Sequence, residues 1–182
     1  MKKLFLAIAL VFLSTSLFAY GIGIKGGYSK MFDDYKGFDD TWNFGLYFDM
    51  GKFIFNSLQF RPGVDYVCLE TKGYYTWNRF GFLEHHSSEL DVWGIHLDWY
   101  WFFAGKSQFS PYIGFGPALN YYNYDDSSTK GDSDAGIEGF LGIEFNLSGP
   151  WSLLLEARYL WHDIADRDST IMKFNAGLMY FF

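Results

Sequence analysis

From residue 20 to the end, the chain places apolar side chains at every second position and small or polar ones between them, in eight separate runs. A period of two belongs to an extended strand with unlike faces, because successive side chains point to opposite sides. In 20–29, Tyr20, Ile22, Ile24 and Tyr28 share one register, while Gly21, Gly23, Lys25, Gly27 and Ser29 share the other. Segments 42–50, 58–69, 93–101, 111–122, 137–147, 151–162 and 170–182 repeat the contrast. No stretch after Ala19 sustains a 3.6-residue apolar period. The pattern predicts an all-β protein.

The connections alternate as well. Short links around Gly51, Lys106 and Ser148-Gly149-Pro150 join the second segment to the third, the fourth to the fifth and the sixth to the seventh. The other four links are long and polar, the longest running from Glu70 to Glu89, which reads as a solvated loop. Long links at one end and short links at the other predict an eight-stranded antiparallel up-and-down β-barrel whose ends face different compartments. An even strand count puts both termini on the short-link side.

Alternation does not say which register faces the centre, because a soluble barrel would turn its apolar residues inward. Tryptophan decides the question. Six of the seven tryptophans lie in the apolar register: Trp42, Trp93, Trp99, Trp101, Trp151 and Trp161. The Trp93 to Trp101 and Trp151 to Trp161 separations, on strands tilted near 40°, span roughly 20–25 Å, the height of the apolar band between two aromatic girdles. Trp42, Trp93, Trp101, Trp151 and Trp161 are therefore assigned to the girdles of a transmembrane barrel. The polar register then fills a narrow lumen with glycine and with Lys25, Asp49, Arg61, Asp65, His96, Asp98, Glu138, Glu144, Glu156, Arg158 and Lys173. Eight strands enclose just enough room for side chains, so opposite charges are expected to pair across it and plug it. His96 beside Asp98 is a candidate pH-sensitive pair.

Composition sharpens this picture. Aromatic residues make up 23% of the chain, against only 4 prolines, which suits pleated surfaces. Lys2 and Lys3, the apolar run from Leu4 to Leu13 and a cleavage region ending at Ala19 predict a signal peptide over 1–19, with the barrel domain over 20–182. Its loss would leave 163 residues, and without Lys2 and Lys3 the formal charge would go from −7 to −9. That acidity, with no basic run, excludes nucleic acid as a partner. Cys68 is the only thiol, so an internal disulfide and a paired-cysteine zinc site are ruled out.

Candidate chemistry is confined to "EHHSSE", residues 84–89. His85 with Ser87, or His86 with Ser88, has a His-x-Ser spacing in which an imidazole could activate a hydroxyl. Glu84, His85, His86 and Glu89 offer metal-ligand atoms, though adjacent histidines in a polar loop usually bind nothing. Asp132 to Gly136 begins like a calcium loop, but its twelfth position is Ile143 rather than a glutamate. No cofactor is expected.

The ending "NAGLMYFF", with "LQFRPGVDY" and "SPYIGFGPALNY", resembles small bacterial outer-membrane β-barrels of the OmpA/OmpX type, including the outer membrane protein beta-barrel domain group. The resemblance covers essentially all of the mature chain and its motifs speak to architecture. It implies that Asn175, Gly177, Tyr180 and Phe182 form a C-terminal signal read by the barrel assembly machinery. It also implies a bacterial outer-membrane location with periplasmic termini, set in lipid and lipopolysaccharide. The expected role is non-enzymatic: a monomer that is structural, or that contacts a surface or host ligand through four exposed loops. Two alternatives are a lipid A-modifying esterase, which in that class carries its His-x-Ser pair late in the chain, and a small-solute, porin-like pore.

Overall fold

A computed structural model describes residues 20–32, 39–52, 57–70, 74–77, 83–86, 89–103, 107–124, 132–162 and 169–182. The predicted signal peptide, 1–19, lies outside the described residues, as do Ser87 and Ser88. Eight strands close into one antiparallel barrel: β1 (Gly21–Phe32), β2 (Thr41–Asp49), β3 (Leu58–Glu70), β6 (Glu89–Phe102), β7 (Phe109–Tyr124), β8 (Asp132–Asn146), β9 (Trp151–His162) and β10 (Ser169–Phe181). Two further strands, β4 (Tyr74–Trp77) and β5 (Leu83–His86), pair with each other outside the barrel.

Neighbours in sequence are neighbours in the wall, and β1 meets β10 to shut the ring. That seam is a continuous ladder from Gly21 opposite Phe181 to Phe32 opposite Thr170. Beyond it, the Phe182 amide donates to the Tyr20 carbonyl at 2.9 Å, and the Tyr20 amide to the Asp49 carbonyl at 2.6 Å. Closure gives every wall strand a neighbour on both sides, which is what a sheet within hydrocarbon requires. The tight turn from β8 to β9 carries Gly149 at φ 78°, a left-handed conformation that a side chain disfavours.

The aromatic and aliphatic register faces outward. Trp42 is 66% exposed, Phe44 64%, Phe115 62% and Leu141 62%. Between them, the inward register is buried, including all four of Lys25, Arg61, Arg158 and Lys173. A barrel that shows its rings and hides its ions is inside out relative to water. Among the described residues no helix is long and apolar enough to cross a membrane; the crossing elements are strands.

Several strands run past the expected limits. β6 starts at Glu89 rather than Trp93, β8 at Asp132 rather than Ile137, and β7 spans Phe109–Tyr124. The β3–β6 ladder continues to Glu70 opposite Glu89. Alternation ends where the outward face leaves lipid and becomes polar, at Glu70, Glu89 and Asp91, but the backbone pairing goes on above the bilayer. The Glu70–Glu89 link differs from expectation more fully. Instead of a bare loop it contains the β4–β5 hairpin, pairing Tyr74 with His86 and Trp77 with Leu83. Only four residues per strand were too short a run to register as a period.

Candidate functional site: the sealed lumen

Inward side chains form three zones along the axis. At the extracellular end, Met31, Val67, Leu69, Leu90, Val92, Tyr122 and Ile171 make an apolar cluster. These residues follow the inward register of their strands, but they are greasy where the register below is polar. A reading that equates the inward face with polarity passes over them; counting the period onward from Asp65 and Gly94 would have found them. Toward the periplasmic end, Tyr100, Phe102, Tyr112, Phe140 and Leu154 form a second cluster. Ions lie between and around the two.

Arg158 organises the central ions. Its Nη1 donates to Asp98 Oδ2 at 2.8 Å and also to Glu138, its Nε to Glu156 Oε1 at 3.0 Å, and its Nη2 to Tyr100 Oη at 3.1 Å. The guanidinium carbon lies 4.3 Å from the Phe140 ring centroid. Glu156 also accepts from the hydroxyls of Tyr100 (3.2 Å) and Tyr112 (3.1 Å), and Lys25 stands 3.9 Å from it. His96 presents Nε2 to Asp65 at 2.7 Å and Nδ1 to Glu138 at 2.8 Å, while Lys173 donates to Asp65. One connected network thus runs from Lys173 through Asp65, His96, Glu138 and Arg158 to Glu156.

Arg61 organises a second group nearer the periplasm. It donates to Asp49 Oδ2 at 3.0 Å, Gln59 Oε1 at 2.9 Å and Glu144 Oε2 at 2.7 Å, and its carbon centre lies 4.8 Å from the Tyr100 ring. Arginine suits both places, since its planar fork satisfies several carboxylates at once and stacks on rings. All eleven lumen residues named from the sequence sit in one or other of these two groups.

Glycine makes the packing possible. A side chain at Gly23 would collide with the Tyr47 ring, at Gly114 with Phe140, and at Gly142 with the Tyr112 hydroxyl. The rings cross the lumen through space that small residues leave open on the facing wall. Arg61, Arg158, Tyr100, Tyr112, Phe102, Leu69 and Ile171 are each less than 2% exposed, so water has no wide path along the axis.

His96, Asp98 and Glu138 bring three ligand atoms within 4.8 Å of one another, a spacing a metal could use. Arg158 already donates to both carboxylates, so a positive charge is in direct contact with two of the three groups. A second cation there would meet like charge, and the arrangement is an ion-pair network rather than a metal centre. Of the candidates in 84–89, Glu84, His85 and His86 fall on β5, and Glu89 begins β6. The backbone register places Tyr75 opposite His85 and Thr76 opposite Glu84.

Trp42, Trp93, Trp101, Trp151 and Trp161 all face outward. Trp151 packs edge-on to Tyr180 with ring centroids 4.9 Å apart, and Tyr180 to Phe182 at 5.7 Å, a cluster at the periplasmic rim. Of the four residues of the C-terminal signature, Tyr180 and Phe182 belong to this cluster; Gly177 lies opposite Lys25 and Asn175 opposite Gly27, on the inward register.

The profile of the outer membrane protein beta-barrel domain family matches residues 4–182. No curated protein matches the chain by sequence. Among solved structures, the chain is similar to Neisserial surface protein A, at 16% identity over 89% of this chain and 96% of that one, with a TM-score of 0.68. It is also similar to the outer membrane protein OprG of Pseudomonas aeruginosa (14% identity, 90% and 97% covered, TM-score 0.58). The attachment invasion locus protein Ail of Yersinia pestis gives 14% identity, 89% and 97% covered, and a TM-score of 0.55. At these identities the likeness is one of fold.

Proposed function

Because the chain belongs to the outer membrane protein beta-barrel domain family and sits in the bacterial outer membrane with periplasmic termini, we propose that it is a closed, non-catalytic platform that holds an extracellular contact surface. The observation that carries this reading is the contrast between the two ends. The periplasmic turn at Leu147–Trp151 is tight, whereas the β3–β6 ladder climbs to Glu70 and Glu89, beyond which the chain forms a separate hairpin.

The hairpin supplies chemistry suited to adhesion. Its register sets Tyr75 and Trp77 against His85 and Leu83, and Tyr74 and Thr76 against His86 and Glu84. Tyrosine and tryptophan dominate productive protein interfaces, since they bury large rigid area at small entropic cost. The partner class is accordingly a protein or glycan surface met through 74–86. The name of Ail assigns attachment and invasion to that protein, which supports the same direction here. A pore is disfavoured by the filled lumen, and an esterase finds no support because His85 and His86 lie on a hairpin strand that pairs outside the barrel.

The test is whole-cell adhesion to epithelial monolayers and to matrix-coated plates, comparing cells that display the intact barrel with cells whose residues 74–86 are replaced by a glycine-serine turn. Adhesion should rise with the intact protein and fall to the vector level with the replacement. Equal adhesion by both displayed forms would refute the hairpin as contact element. Lipid A acyl chains, weighed by mass spectrometry, should be identical in all strains.

A further inference from the structure

The outer wall is not uniformly convex. Where β1, β10, β9 and β8 lie side by side, a depression of about 550 Å³ opens toward lipid. Its floor is made by small outward residues, Gly26, Ala176 and Ala157, and its rim by Tyr28, Trp42 and Phe174. The register explains the shape. Gly26 lies opposite Ala176, and Ala157 opposite both Phe174 on one side and Leu141 on the other, so three small side chains fall on adjoining strands within a belt of large ones. Tyr28 and Trp42 stand edge-to-face at 5.9 Å and form the extracellular wall.

A charged group stands directly above. Lys30 follows Tyr28 by two residues on the same outward face, which places it about 7 Å further along the strand and, at a tilt near 40°, about 5 Å nearer the exterior. Its Nζ lies 5.6 Å from the ring centroid of Phe32, two residues further still, so the side chain reaches away from hydrocarbon. Among the described residues, Lys30 is the one basic side chain on the outward face of the extracellular half, whereas Asp40, Glu70, Glu89 and Asp91 make the β2–β3–β6 side acidic. Asp40, the nearest of these acids to Tyr28, is engaged by the Tyr28 hydroxyl at 3.2 Å and the Met31 amide at 3.2 Å.

We propose that this groove is a seat for one acyl chain of the phosphorylated glycolipid of the outer leaflet, lipid A, with Lys30 meeting its phosphate. Within a bilayer an apolar groove gains nothing from leaving water. Selectivity must come from close packing over small residues and from a polar anchor. Both are present in one line up the wall: a shallow trough for the chain, an aromatic pair at the interface, and a lysine at headgroup height. Among the described residues, the acidic groups of the β2–β3–β6 side would repel the same phosphate.

Native mass spectrometry of the intact folded barrel in mild detergent tests the assignment, with lipid A, dephosphorylated lipid A and phosphatidylcholine as the added probes. The wild type should retain one lipid A and neither control. Lys30→Gln should weaken lipid A retention about tenfold, the loss of one charge-assisted contact. Ala176→Phe, which fills the trough, should abolish the one-to-one adduct. Heat-modifiable gel migration checks that each variant is folded, and Ala157→Phe serves in its place if Ala176→Phe is not. Equal retention of all three lipids, or retention unchanged by Lys30→Gln and by a folded trough variant, would overturn the proposal. So would a species of twice the chain mass that the trough variant removes, since that makes a second copy the occupant. Cell adhesion through 74–86 is read separately and does not depend on either result.

Discussion

Arg158 holds three carboxylates that no water reaches, and its value lies in what its removal would leave behind. Taking an ion out of water costs several kcal/mol, offset only when its partners are close and well oriented. Arg158→Ala would strand Asp98, Glu138 and Glu156, whose remaining described cationic contacts are His96 for Glu138 and a distant Lys25 for Glu156. The expected loss is about 3–5 kcal/mol of unfolding free energy, measured by urea titration in lipid vesicles with tryptophan fluorescence as the signal. A variant as stable as the wild type would mean that the network contributes nothing net. Gly142→Val probes the other half of the packing. Its side chain would meet the Tyr112 hydroxyl and the Leu155 carbonyl, a tight fit on both sides. Overpacking of this kind should cost about 1–3 kcal/mol in the same titration.

At the scale of the element, the hairpin and the barrel are separable. β4 and β5 pair only with each other, while the β3–β6 ladder below is complete up to Glu70 and Glu89. Replacing 74–86 with a short turn should therefore leave heat-modifiable migration unchanged, even as adhesion falls. Loss of the folded band would show that the hairpin stabilises the wall. The final strand is the opposite case, because β10 must pair on both sides to close the ring. We propose that Tyr180 and Phe182 act with Asn175 and Gly177 in delivery to the assembly machinery. The double variant Tyr180→Ala, Phe182→Ala should reduce the amount of folded protein in outer-membrane fractions several-fold while purified chain still refolds in detergent. Equal membrane yields would remove that role.

At the scale of the whole molecule, the barrel is a solid rod across the bilayer. An apolar cluster closes the extracellular end, the Arg158 group fills the middle, and the Arg61 group lies with an aromatic cluster toward the periplasm. Ion flow would require several of these layers to part together, at the cost of the charge pairing inside. Planar bilayers containing the purified barrel should stay silent, and reproducible unitary steps would contradict a sealed lumen. The asymmetry of the outside completes the design: an even aromatic belt, acidic groups above one side, and Lys30 above a trough on the other.

The sequence alone determined the number of wall strands, their order around the wall and the division of each into an outward and an inward register, but not the β4–β5 hairpin. Those features repeat every two residues, and any local window carries them: Ile22 and Ile24 against Gly23 and Lys25 is enough. It also carried the candidate ions of the lumen as a set, because each lies on the polar register. Only the tertiary structure decided who pairs with whom, since Arg61 and Glu144 are 83 residues apart and Lys173 and Asp65 are 108. Such partnerships depend on strand stagger around a closed ring, which no single strand encodes. The apolar cap at the extracellular end escaped a polarity-based reading for a related reason. Val67 and Leu69 are inward because the ladder continues, and not because their side chains differ from those facing lipid. The trough depends on closure too: Gly26 and Ala176 become neighbours only when the first strand meets the last.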